Sequence, residues 1–277
     1  MSDDTLVKIY ENGFKYSQSS EKYSKVIVLD LDETIGDFTD MVVLWQIVKS
    51  QTSLTQDDFN RLVDIFPEFF RMGIFTILEY LYKKKQTHKC NNVYLYTNNK
   101  FSPEFPNLVA NYVSKKINAD VPLFDKVICA FKIGDTIIEK DRTENPKTYN
   151  DLIKCTMLPK STEICFVDDY FHKKMKHNKI YYIQPLPYNH ILTPYTIAYR
   201  VCSSLPQWFS DKKILVELLS IKSIDHFFHI DLHCKISQKI MYYLKEFFHL
   251  TTMVPRTRKN NRKITKFTKK KRKLNYE

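Results

Sequence analysis

Two aspartates one residue apart, Asp30 and Asp32, follow the apolar run Val26-Ile27-Val28-Leu29, and Thr34 comes two residues later. An apolar run dominated by β-branched residues reads as a short strand buried on both faces of a parallel sheet. Acids at the end of such a strand lie at the carboxyl edge of the sheet, where open α/β sheets bind their ligands. If the strand continues, the alternate spacing points both carboxylates the same way, and they repel unless a cation or a shared proton intervenes. The chemistry that suits them is a hard divalent cation with oxygen ligands, and Mg2+ is the usual choice beside phosphate. The plainer reading is a strand ending in a polar turn, with Asp32 and Thr34 as caps for the next helix.

Further strand ends carry groups of the same kind. The run Val93-Tyr94-Leu95-Tyr96 ends in Thr97-Asn98-Asn99, and Ile164-Cys165-Phe166-Val167 ends in Asp168-Asp169. Between them Lys147 stands at the start of an expected helix, behind Pro146. A parallel sheet would gather all of these at one edge. Two carboxylate pairs, a hydroxyl and an ammonium make poor core but a good site for a dianionic phosphate and its Mg2+.

The order D-x-D-x-T, strand-Thr, Lys, strand-Asp-Asp resembles the haloacid dehalogenase (HAD) superfamily of phosphohydrolases. More narrowly, Leu29-Asp30-Leu31-Asp32-Glu33-Thr34-Ile35 is similar to the D-L-D-E-T-L signature of the NLI-interacting-factor type, small phosphatases acting on the RNA polymerase II C-terminal domain. The stretch from Arg71 to Leu81 also resembles that family's R-P-G…F-L…L helix, with Met72 in place of the proline. The resemblance covers roughly residues 25 to 185.

It implies a HAD-like Rossmannoid sheet, Mg2+ as cofactor, and a role for each matching residue. Asp30 would be the nucleophile, forming an aspartyl-phosphate. Asp32 would be the general acid and then the base that activates water. Thr97, with Asn98, would hydrogen-bond the phosphoryl oxygens, and Lys147 would neutralise charge on the nucleophile and the transferred group. Asp168 would bind the metal with Asp30 and the Asp32 carbonyl, Asp169 would bind it directly or through water, and Thr34 would orient the loop. Lys140 and Lys154 compete with Lys147 for the lysine role.

Composition narrows the alternatives. The chain has 277 residues, 43% hydrophobic and 27% charged, as expected of a soluble globular protein of one sizeable domain with extensions or two small ones. No apolar run is long enough to cross a bilayer, and the start, Met1-Ser2-Asp3-Asp4, does not read as a signal peptide. Six scattered cysteines without a C-x-x-C pair argue against a zinc ribbon or a disulfide framework and fit a reducing, intracellular compartment. Four glycines leave no glycine-rich phosphate loop, which argues against a Walker-type ATPase and a G-x-G-x-x-G dinucleotide domain. The net charge of +12 owes a large share to the segment from Arg256 to Lys273.

The expected organisation is a polar leader over 1–24, a phosphatase core over 25–189 with a helical insert over about 37–92, an all-helical extension over 190–254 and a basic disordered tail over 255–277. Helices are expected at 40–50, 55–66, from Pro67 through Leu81, at 107–117 and at 147–157. A third strand is expected at 126–131 and a fifth at 180–183. His226, His229 and His233 have spacing a zinc site would use, although the aromatic-rich segment around them suits packing histidines better. The run Lys269 to Lys273 resembles a nuclear localisation signal, suits nucleic-acid phosphates, and equally suits a solubilising end. Richness in Lys, Asn, Ile and Tyr with few glycines is the composition an AT-rich genome gives, such as that of a parasite or large DNA virus.

The function expected is therefore a Mg2+-dependent phosphomonoester phosphatase in nucleus or cytoplasm, acting on phosphoserine or phosphothreonine protein such as a polymerase tail. A nucleotide or nucleic-acid end phosphatase of the same superfamily is the enzyme alternative. A catalytically idle module that binds nucleic acid through residues 256–273 is the non-enzyme one.

Overall fold

A computed structural model of the chain describes residues 6–16, 24–50, 53–208, 211–219 and 230–252. Strands β1 (Val7–Tyr10) and β2 (Phe14–Tyr16) come first, then β3 (Lys25–Leu29). Helices α1 (Thr39–Lys49), α2 (Gln56–Asp64) and α3 (Ile74–Gln86) separate β3 from β4 (Asn92–Tyr96). There follow α4 (Phe105–Lys116), β5 (Lys126–Ile128), a small hairpin of β6 (Lys132–Ile133) and β7 (Thr136–Ile137), α5 (Tyr149–Thr156), β8 (Glu163–Val167) and β9 (Ile180–Pro185). The C-terminal part adds α6 (Pro194–Ser204), α7 (Lys212–Leu219), α8 (Ile230–Phe247) and β10 (Leu250–Thr252).

The fold is α/β. Six strands form one sheet in the order β1-β9-β8-β3-β4-β5, parallel except for β1, which runs antiparallel to β9. Strand β3 lies between β8 and β4, and its alternate residues feed two cores. Ile27 and Leu29 join the larger cluster with residues of α1–α4, α6 and α8, while Val26 and Val28 pack with Leu152 and Cys155 of α5. Burial of each such side chain contributes roughly 1.5–3 kcal/mol, so a strand buried on both faces is a rigid mount for whatever follows it.

Several elements differ from expectation. Residues 7–10, expected in a polar leader, form an edge strand, because only Val7 is fully buried and Lys8 points to solvent, a pattern too short to stand out. The helix expected from Pro67 is two pieces: a 3-10 turn at Pro67–Phe69, then α3, separated at Gly73, whose φ of 76° lies in the left-handed region. The third strand stops at Ile128. The 190–254 region is not wholly helical, since β10 pairs with β2. Nor is α8 set apart: Ile236, Ile240, Leu244 and Phe247 sit in the same cluster as Ile27. Among the described residues no helix is long and apolar enough to cross a membrane, and all six cysteines are free. The tail at 255–277, with its basic run, lies outside the described residues, as do His226 and His229.

Candidate active site

The chain leaves β3 towards β4 on one side and leaves β8 towards β9 on the other, which opens a crevice at the carboxyl ends of β3 and β8. Asp30 and Asp168 stand there. Each is fixed by a further backbone bond: the Asp30 N–H donates to the Val167 carbonyl at 2.9 Å, and the Asp168 N–H to the Ile183 carbonyl at 3.1 Å. Both are buried, and so is Lys147, whose ammonium donates to Asp30 Oδ1 and, at 2.7 Å, to Asp168 Oδ2. Lys147 is held in place by its neighbour Thr148, which caps α5 by accepting the Asp151 N–H. Burial works against the ammonium, but the two carboxylates outweigh it and raise the Lys147 pKa. Burial also opposes the Asp168 charge, yet Lys147 and His172 win and lower its pKa. For Asp30 burial prevails over Lys147 and pushes the pKa well up.

The loop after β3 turns sharply. The Leu31 carbonyl accepts the Ile35 N–H at 2.9 Å and the Gly36 N–H at 3.3 Å, while Glu33 takes a left-handed φ of 59°. A Cβ at Gly36 would collide with the Phe69 carbonyl and the Phe38 ring, so only glycine fits. Buried Arg71 braces the outside: Nε donates to the Thr34 carbonyl at 2.7 Å, and Nη2 to the Glu33 and Leu186 carbonyls at 2.6 and 2.9 Å. Within this frame the Asp32 carboxylate accepts from the Asn99 amide at 3.2 Å and from the Thr97 hydroxyl at 3.4 Å. Burial raises the Asp32 pKa to about 6 despite these donors. Thr34 donates to Asp169 Oδ1 at 2.9 Å, and burial with the nearby Asp168 raises Asp169 to about 7.

Carboxylate oxygens of Asp30, Asp168 and Asp169 all lie within 4.8 Å of one another, so this buried triad could hold a metal ion. Three carboxylate oxygens offset by one ammonium form an oxygen-only, anionic donor set, which fits a hard divalent cation such as Mg2+. The Asp32 carboxylate, taken up by Asn99 and Thr97, stands outside the triad.

Of the expected residues, Asp30, Lys147 and Asp168 are linked by direct contacts, Asp169 bonds Thr34 and lies within 4.8 Å of the other two acids, and Asp32 joins Thr97. Lys140 and Lys154 are exposed, Lys154 lying 3.8 Å from Asp141, and neither is seen with the acids. Asn98 is tied by its Oδ1, which accepts from Arg142 Nη2 at 2.7 Å, and it is Asn99 that reaches Asp32. Three contributors escaped the sequence reading. Arg142, buried in an aperiodic polar stretch, donates to the Thr97 and Cys129 carbonyls at 3.1 and 2.8 Å. His172 Nε2 lies 3.3 Å from Asp168 Oδ2. Asn99 follows Asn98 directly, and only the turn geometry separates their destinations. His233 packs edge-on against Tyr188 at 4.9 Å. No family model, curated protein or solved structure matches this chain.

Proposed function

We propose that the chain is a Mg2+-dependent phosphomonoester phosphatase of haloacid dehalogenase type, with a HAD-like Rossmannoid core, acting on phosphoserine or phosphothreonine protein. The observation that carries this reading is Lys147 joining Asp30 to Asp168 across the crevice, with Asp32 one turn of loop away. An apolar core has no use for three charges in that place.

Asp30 is the nucleophile. Its carboxylate oxygen forms a bond to phosphorus as the ester oxygen leaves, giving an aspartyl-phosphate. Asp32, with its pKa raised to about 6 by burial, delivers the proton to the leaving oxygen and then withdraws one from water. That water attacks the aspartyl-phosphate, releases phosphate and restores Asp30. Lys147 holds Asp30 Oδ1 and offsets negative charge on the transferred group. Thr97 and Asn98 supply donors; because Asn98 Oδ1 is engaged by Arg142, its NH2 group is the end left to face an oxyanion. Asp30, Asp168 and Asp169 would hold the Mg2+, whose charge would supply Lewis-acid neutralisation and favour the ionised Asp30 that burial alone disfavours. The phosphoprotein substrate rests on the similarity of residues 29–35 to the NLI-interacting-factor signature.

The test is hydrolysis of p-nitrophenyl phosphate, phosphoserine peptides and nucleotides by the purified chain, with and without Mg2+, beside Asp30→Asn. Metal-dependent release of phosphate, lost in the variant and fastest on phosphopeptides, is the expected result. Faster turnover of nucleotides would overturn the protein substrate. No turnover of any of them by folded protein would sink the phosphatase reading.

A further inference from the structure

A cavity of about 380 Å3 opens beside the crevice, between the start of α5 and the crossover from β8 to β9. Its wall includes Glu144, Thr148, Tyr149, Lys174, Lys176 and His177. The groups presented are mostly donors. Lys176 is exposed and, among the described residues, has no carboxylate within ion-pair distance. His177 Nδ1 accepts the Lys179 N–H at 3.2 Å, so the ring hydrogen sits on Nε2 as a donor. Burial and Lys179 hold the His177 pKa below its usual value, which keeps the ring in that neutral form. Thr148 Oγ1 already accepts the Asp151 N–H, leaving its own hydrogen to give away. The His177 ring is stacked on Tyr149 at 3.7 Å and 13°, which stiffens one wall. Two carboxylates temper the charge: Glu144, paired with Lys174 at 2.6 Å, and Asp151 behind the wall, whose Oδ1 accepts from Thr143.

The same segment serves the crevice. Lys147 precedes Thr148, and Arg142 Nη2 donates both to the Glu144 carbonyl at 3.4 Å and to Asn98 Oδ1. The cavity and the crevice therefore share the stretch from Arg142 to Thr148.

We infer that this cavity is a second oxyanion site, taking a phosphate carried elsewhere on the same substrate and so favouring multiply phosphorylated chains. The substrate assignment rests on the phosphatase reading; the oxyanion site does not. A wall whose two lysines outnumber its one carboxylate, with hydroxyl and imidazole donors beside them, matches phosphate chemistry, and the volume lies within the range of small-ligand pockets. The other source of the same chemistry is free inorganic phosphate.

Calorimetric titration of the chain without Mg2+ decides it, using inorganic phosphate and peptides carrying one or two phosphoserines. The peptide with two should bind at least about tenfold tighter than the peptide with one. That advantage should vanish in Lys174→Ala/Lys176→Ala and grow in Glu144→Gln, while p-nitrophenyl phosphate turnover stays unchanged in all three proteins. Equal binding of the two peptides with no lysine-dependent binding of inorganic phosphate, or an advantage that survives loss of both lysines, overturns the inference. Lysine-dependent binding of inorganic phosphate without any peptide preference overturns the substrate assignment in favour of free phosphate. If the wild-type chain shows no p-nitrophenyl phosphate turnover, the phosphatase reading fails on its own, and the titration still decides the cavity.

Discussion

Thr34 and Asp169 are joined in both directions: the Thr34 hydroxyl donates to Asp169 Oδ1 at 2.9 Å and accepts the Asp169 N–H at 3.0 Å. The loop after β3 and the loop after β8 are thereby locked in register across the crevice, with Asp169 aimed beside Asp30 and Asp168. Partners that orient a metal-ligating carboxylate are typically worth about 10- to 100-fold in metal affinity. Thr34→Val keeps the shape and removes both bonds, so Mg2+ affinity should fall by about that factor, while Thr34→Ser should retain it. The check is the Mg2+ dependence of p-nitrophenyl phosphate hydrolysis, and equal half-saturation in the two variants would contradict the orienting role.

Lys147 bridges two buried carboxylates, and Asp168 alone has a second basic partner, His172 at 3.3 Å. Removing one member of a buried ion pair costs about 3–5 kcal/mol. Lys147→Met should therefore lower the melting temperature and reduce turnover by about 10²- to 10³-fold. Mg2+ should recover part of the lost stability by binding the exposed negative charge in the folded state. Thermal denaturation with and without Mg2+ measures both effects, and a variant as stable as wild type would show that the ammonium does not hold the two carboxylates.

The residues legible in the sequence are those whose position follows from the strand itself. Val26 to Leu29 is a run that only a doubly buried strand explains, so Asp30 and Asp32 had to lie at its end, and Asp168 and Asp169 followed by the same argument. The lysine was different: spacing left Lys140, Lys147 and Lys154 open, and what separates them is the Thr148 cap, which fixes the backbone beside Lys147. Arg142 leaves no periodic trace, because it is a long side chain from an irregular segment that reaches carbonyls far away in sequence, and Arg71 shows only as the first residue of a family-like stretch, with nothing local to announce the carbonyls it braces. Strand β1 was hidden for another reason. Its four residues gain their partner only from β9, more than 170 positions later, and no local pattern announces that pairing.

Arg71 tests whether the loop after β3 is braced or merely folded. Its three bonds satisfy carbonyls of Glu33, Thr34 and Leu186, and burial holds its pKa at about 10, still charged near neutrality. Without Arg71 the Thr34 and Leu186 carbonyls lose their donor, while the Glu33 carbonyl keeps the Tyr188 N–H at 2.9 Å; each carbonyl so stranded costs about 1–3 kcal/mol. Arg71→Met should lose about 3 kcal/mol or more, and Arg71→Lys should recover only part, since an ammonium cannot reproduce the planar fork. Urea denaturation gives the stability. Turnover should fall in the same order as the loop that carries Asp32 loosens, and a variant with normal turnover would mean that the loop holds its shape unaided.

Glu163 offers a pH-dependent check on how the C-terminal strand is fastened. Its buried carboxylate accepts the Thr252 N–H at 2.6 Å and the Thr251 hydroxyl at 2.7 Å, and pairs with Lys25 at 2.9 Å. Burial opposes that charge, but the Thr252 N–H and Lys25 outweigh it and hold the pKa below the ordinary value. A carboxyl depressed in the folded state contributes stability that is fully present above the unfolded pKa of about 4.3 and is lost as pH falls through the lower folded value. Glu163→Gln removes the contribution outright. Wild type should therefore be more stable than the variant by about 1–3 kcal/mol at neutral pH, with the gap closing below about pH 4. Urea denaturation of both proteins across that range measures it. A gap that stays constant into acid would mean that the charge on Glu163 does not hold β10, and that apolar packing of Leu250 and Phe247 fastens the strand instead.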